Sequence, residues 1–152
     1  MKLHNKALAM GLLLILASVV AGCAPLRQVL GQDAVPSDKG VIAGTDWTLT
    51  QIDGEPVPEK SVATLTFTED QVNGVAFCNS YFGDYTRDGD DITFGPLVQT
   101  EKFCMEPEGV MDLERDYLQA LSVADTFSVA QGALTFYDAE GRALLVLVSQ
   151  GN

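Results

Sequence analysis

The sequence predicts a mainly β domain of the α+β class: a strongly curved antiparallel sheet or partly closed barrel, with one α-helix packed against it. Three observations predict it. Between Trp47 and Val148, short runs of alternating apolar and polar residues recur, separated by turn dipeptides such as Asp53-Gly54, Asp88-Gly89 and Gln131-Gly132. A single stretch, about Val110 to Leu121, has helical spacing instead. Ala143 to Val148 is apolar without alternation. Such a strand asks for cover on both faces, from the helix on one side or from the sheet curling over it.

The elements follow in order. Met1 to Lys6 is a short basic head, Ala7 to Ala21 an apolar run, and Val20-Ala-Gly-Cys23 a small-residue site ending in cysteine. Together these predict a secretory signal over residues 1–22, too short and wrongly flanked for a spanning helix; a retained anchor helix is the alternative. Val20-Ala-Gly-Cys23 resembles the lipobox of bacterial lipoproteins. That resemblance implies cleavage before Cys23, diacylation of its thiol and acylation of the new amino terminus. Acyl chains at about 0.8 kcal/mol per buried methylene hold a soluble domain at a membrane. Ala24, not aspartate, follows Cys23. In a double-membraned bacterium the lipoprotein pattern then implies the outer membrane, with the domain facing the periplasm.

Residues 23–44 contain Pro25, Gly31, Pro36, Ser37 and Gly40 with weak periodicity, and read as a lipid-anchored flexible tether. The domain occupies residues 45–152. Its expected strands are Trp47–Ile52, Ala63–Phe67, Val72–Phe77, Tyr81–Thr86, Ile92–Phe94, Leu97–Thr100, Asp125–Ala130, Leu134–Tyr137 and Ala143–Val148. Gly74 marks a bulge or a close backbone approach. In the helix, Val110, Leu113, Tyr117 and Leu121 form the apolar stripe and Glu114, Arg115 and Gln119 the polar side, with Pro107 in the first turn.

Charge and histidine content narrow the function classes. Without residues 1–22 the chain carries 21 Asp and Glu against 7 Lys and Arg, a net charge near −14. That surface repels phosphates and anionic headgroups, so nucleic acid is excluded as a natural partner. The single histidine, His4, lies in the signal, which leaves no Ser-His or Cys-His pair and no histidine for a zinc site. There is no phosphate loop, nucleophile elbow or dinucleotide fingerprint. Asp84, Asp88, Asp90 and Asp91 lack the EF-hand spacing and read as a solvated hairpin tip. No cofactor, metal or catalytic residue is expected.

Gly74-x-x-x-Cys78-Asn79-x-Tyr81-x-Gly83-x-Tyr85 and Leu97-x-x-Thr100-x-x-x-Cys104-Met105 form the centre of the domain. With Trp47-Thr-Leu, Glu114-x-x-Tyr117-x-x-Ala120-Leu121 and Leu134-x-x-Tyr137-Asp138-x-x-Gly141 they resemble the META domain, the family that includes the HslJ-like heat-shock lipoproteins. The resemblance spans about Thr45 to Val148. It implies a compact β-rich fold with one helix in secreted or lipid-anchored proteins, and no established catalytic activity. One position departs from the pattern: Phe77 stands where the family usually has glycine.

Cys78 and Cys104 are the cysteines left for the domain. In an oxidising compartment they are expected to pair as a structural disulfide, with a reactive thiol pair as the alternative. Asn79, Ser80 and Tyr81 follow directly and form the candidate binding surface for a ligand or peptide, against a plain turn-and-core role. The expected function is a non-enzymatic, lipid-anchored envelope domain, binding or protective, in envelope or heat stress tolerance, with an envelope protein as partner. A carrier of small apolar ligands in the curved sheet is the alternative.

Overall fold

Turn chemistry sets most of the strand connections. Asp53-Gly54 and Gln131-Gly132 each place two successive residues at positive φ, +50° and +84° in one and +52° and +78° in the other. This is the backbone that a tight two-residue hairpin requires. In the computed structural model, which describes residues 42–150, these turns join ten strands and one helix. The predicted signal, Cys23 and nearly all of the tether lie outside the described residues.

The strands are β1 (Asp46–Ile52), β2 (Glu55–Pro56), β3 (Thr64–Phe67), β4 (Gln71–Ala76), β5 (Asn79–Asp88), β6 (Asp91–Phe94), β7 (Val98–Gln99), β8 (Thr126–Ala130), β9 (Ala133–Tyr137) and β10 (Ala143–Ser149); α1 spans Val110–Ser122. Eight strands pair antiparallel in the order β10-β9-β8-β6-β5-β4-β3-β1, and β1 pairs back onto β10. The sheet is therefore a closed barrel, with β2 and β7 as short additions on β1 and β5. Closure removes the two free edges that an open sheet of this size would expose.

Alternation decides what fills the barrel. Along β5, residues 79, 81, 83 and 85 are buried and 80, 82, 84 and 86 are exposed. Trp47, Leu49, Leu65, Phe67, Tyr85, Phe94, Leu134, Phe136 and Leu147 belong to one continuous core. Phe67, Tyr85, Phe94 and Phe136 meet in edge-on or tilted pairs with ring centroids 5.0 to 6.5 Å apart, a packing that adds to simple burial.

Ala143–Val148 departs from the expected burial on both faces. Leu144 and Leu145 are both buried, but Val146 is intermediate and Val148 exposed. The register against β9 slips between Ala143 and Leu145. That bulge sets two neighbouring side chains inward, and the strand alternates normally beyond it.

The helix touches β10 and β1 on one side of the ring and β4 and β6 on the other, so it lies across one end of the barrel. It begins after Gly109, at φ +81°, leaving Pro107 in the preceding turn rather than in the first helical turn. At the opposite end Ile42 is buried, and the segment after it is tied down by Gly44 N–H to Phe67 O and Trp47 Nε1 to Thr45 Oγ1. The register of β1 with β3 puts Asp46 and Phe67 at this end and Ile52 and Ala63 at the helix end.

Candidate functional site

The Gly74–Tyr81 part of the central motif and the loop through Cys104 meet at the helix end. β4 and β5 are joined by Phe77 and Cys78 alone, since Ala76 pairs with Asn79. Phe77 has φ +61°, and the Cys78 N–H bonds to Ala76 O at 2.7 Å. Both are marks of a γ-turn of the rare, strained hand. The residue in glycine's usual place thus adopts glycine's conformation, and its ring packs edge-on against Tyr117.

Cys78 is bonded to Cys104, with Cα atoms 6.0 Å apart. Closing a loop of 26 positions is worth roughly 3.5 kcal/mol in the chain-entropy model. Beside it, Asn79 continues the sheet with its side chain. Its Oδ1 accepts from Lys102 N–H at 2.7 Å, and its Nδ2 donates to Lys102 O at 3.1 Å. The amide thus stands in for a peptide group of β5 opposite the extension of β7. Oδ1 also accepts from Thr100 Oγ1, and Nδ2 also donates to Glu114 Oε1 at 2.8 Å. All four hydrogen-bonding sites of the amide are used.

Glu114 completes this arrangement through its Oε2, which accepts the Asn79 N–H at 2.7 Å. Its side chain is buried, not on the polar side of the helix as its charge suggests. The spacing carries the signal: Glu114 lies four residues after Val110 and three before Tyr117, inside the apolar stripe. A carboxylate there is tolerable because it receives two hydrogen bonds in an otherwise closed site.

A second cluster lies one layer deeper. The Tyr81 and Tyr117 hydroxyls are 2.7 Å apart, and Tyr81 donates to Thr64 O at 3.0 Å. Burial pushes both phenols up from their ordinary value, and for Tyr81 the neighbouring Tyr117 adds to it. Gly74 makes the cluster possible. A Cβ at that position would lie 2.0 Å from Thr64 O, so the close approach is real and needs glycine. Tyr85 repeats the motif four residues on, donating to Thr68 O at 3.0 Å.

The structure therefore brings Cys78, Asn79, Tyr81 and Cys104 together but does not turn them outward. Asn79 and Tyr81 are 1% and 2% exposed, and only Ser80 faces solvent. Strand alternation makes one shared face for residues 79, 80 and 81 impossible. Cys23 lies outside the described residues. Among the described residues no group of three potential metal ligands is assembled, and the buried phenols are held as neutral hydrogen-bonding groups.

Apolar groups on the surface, Met105 apart, lie outside every motif position of the sequence. Phe82 and Val98 sit opposite each other on β5 and β7, both more than half exposed, and Val75 lies on the adjacent strand. Phe103 and Met105, flanking Cys104, are 80% and 77% exposed. Open grooves border the helix. One of about 240 Å³ runs between Leu113, Asp116 and the β1–β2 turn. Another, of about 370 Å³, runs between Leu118, Ser122 and Gly95–Gln99.

Comparisons with known proteins agree with this architecture. The family model for the META domain matches residues 40–151. A solved NMR structure of a protein from Burkholderia xenovorans is similar at 27% identity, covering 77% of this chain and 89% of that one, with a TM-score of 0.61. The crystal structure of a DUF4847-family protein from Bacteroides vulgatus shares the fold at 13% identity, covering 71% and 94% of the two chains, with a TM-score of 0.56. No curated protein sequence matches the chain.

Proposed function

Because this chain belongs to the META domain family, we infer that it works as a non-enzymatic binding or protective module of the cell envelope, lipid-anchored through Cys23 and serving envelope or heat stress tolerance. One observation carries the reading. The polar groups of the central motif are consumed inside the domain, whereas Phe82 and Val98 are left exposed opposite each other on β5 and β7, and Phe103 and Met105 on either side of Cys104. Exposed large apolar side chains gathered in one region are the usual mark of a contact surface.

The carrier reading has less support. Aromatic and branched side chains occupy the barrel axis, and the grooves described above lie on the surface rather than inside. A carrier predicts that an apolar cell extract raises the thermal midpoint of the protein.

The test is photocrosslinking in cells with lipidation intact, from a photoreactive residue at Phe103. The buried Tyr81 serves as the control position. A recurrent protein adduct from Phe103 that is absent from Tyr81 supports the module; adducts confined to lipid, or equal from both positions, refute it.

A further inference from the structure

The barrel has one incomplete seam. β8 meets β6 at a single pair, Asp91 with Thr126, and above that pair no strand lies beside β6 and β7. The helix stands there instead, leaving the groove between Leu97 and Gln99 on one side and Leu118 and Ser122 on the other. β7 pairs with β5 and with no other strand. Its extension is held straight from the β5 side by Thr100 N–H to Ser80 O, by the Asn79 amide on both backbone groups of Lys102, and by the bond from Cys104 to Cys78.

In an antiparallel pair alternate residues turn their backbone groups to the neighbour. Residues 98, 100 and 102 turn theirs to β5, so Gln99 and Glu101 turn theirs away, into the seam. Residues 98–103 are exposed throughout. An extended, rigid, unpaired edge beside an apolar slot is what an incoming strand recognises: main-chain bonds supply affinity and alternate side chains supply selectivity.

We propose that the outer edge of Val98–Lys102 binds an extended polypeptide segment of a partner protein, which adds to β7 as a further strand and lodges an apolar side chain between Leu97 and Leu118. The proposal rests on the module reading above and names its partner's chemistry. Charge selects the occupant. Residues 42–150 carry 19 Asp and Glu against 5 Lys and Arg, and Glu101, Glu106 and Glu108 flank the edge. A second copy of the chain would bring like charges together, whereas a segment with neutral or basic flanks would not.

The experiment uses the full lipidated chain in detergent and a displayed library of random linear peptides. Enriched peptides are expected to alternate apolar and polar residues, and to slow amide hydrogen exchange at Gln99 and Glu101. Gln99→Pro, which deletes an N–H the domain does not use internally, is expected to weaken them at least about ten-fold with the thermal midpoint unchanged. If that variant proves unstable, exchange at the two amides of the wild type decides. No enrichment, or peptides that leave those amides unprotected and bind Gln99→Pro equally well, overturns the proposal. Self-association abolished by Gln99→Pro would assign the edge to a second copy and overturn the choice of occupant. A cellular adduct from Phe103 that persists in Gln99→Pro would sink the edge while leaving the module standing; loss of the adduct in every background would sink both.

Discussion

Replacing Phe77 by glycine and by alanine separates the two things this residue does. A side chain in the left-handed region costs about 1–2 kcal/mol. Glycine avoids that cost but gives the unfolded chain extra freedom, worth about 0.4–1 kcal/mol. At φ +61° the balance leaves glycine ahead of alanine by about 1 kcal/mol, the reverse of their order inside a regular strand. Both replacements lose the ring, which is half-buried against Tyr117 with centroids 6.2 Å apart and planes at 82°. Full burial of a phenylalanine is worth about 3–5 kcal/mol, so the loss here is about 2. Phe77→Ala is therefore expected to cost about 2 kcal/mol and Phe77→Gly about 1. Urea unfolding of both variants with the disulfide intact measures the difference, which corresponds to about 4 °C in a domain of this size. If alanine is as stable as glycine or more so, residue 77 does not sit in the left-handed region, and the account of the turn fails.

Three further outcomes follow from the buried clusters. Glu114→Ala leaves two Asn79 donors without an acceptor and should cost about 3 kcal/mol, with a double-mutant cycle against Asn79→Ala showing strong coupling; additive losses would mean the contact carries no energy. Gly74→Ala should cost at least about 2 kcal/mol, because its Cβ would displace the Thr64 carbonyl from the tyrosine hydroxyls; a thermal midpoint within error of wild type would refute the close approach. Stability should fall above about pH 10. Tyr81 and Tyr117 ionise near 10.0 when unfolded but at higher pH when folded, so the unfolded chain releases protons that the folded one retains. The expected slope is about 1.4 kcal/mol per pH unit for each tyrosine. Tyr117→Phe should remove the Tyr117 contribution and reduce the slope, and denaturant titrations between pH 9 and 11 read it.

What could be seen in the sequence was whatever rests on local chemistry. Asp53-Gly54, Asp88-Gly89 and Gln131-Gly132 announce their turns because few residues tolerate positive φ, and Val110, Tyr117 and Leu121 announce the helix by spacing. Gly74 was legible as an anomaly in a strand, and the structure identifies which anomaly it is. Long-range pairing was not legible. Nothing local in Leu144 reveals the bulge that buries it beside Leu145. Asn79 looked like turn chemistry because a polar residue after a cysteine gives no hint that its amide will imitate a peptide group for Lys102. Charge sends Glu114 to solvent, although its spacing from Val110 and Tyr117 lies in the core stripe. The exposed pair Phe82 and Val98 comes from two strands that meet only in the folded barrel.

The pairing of β1 with β10 also fixes when the domain can finish folding. These are its first and last strands, and Leu49 lies against Leu147 with nearly a hundred residues between them. Contacts of that separation form late, after the cost of closing a long loop has been met. During synthesis or export from the amino terminus, β1 waits with one unpaired side until β10 is delivered. A chain stopped at Tyr137 would leave both β1 and β9 with an open edge, and open edges invite pairing with other chains. The last dozen or so residues of the domain thus act as its latch: their arrival pairs the free sides of β1 and β9 and turns a sticky half-built sheet into a ring.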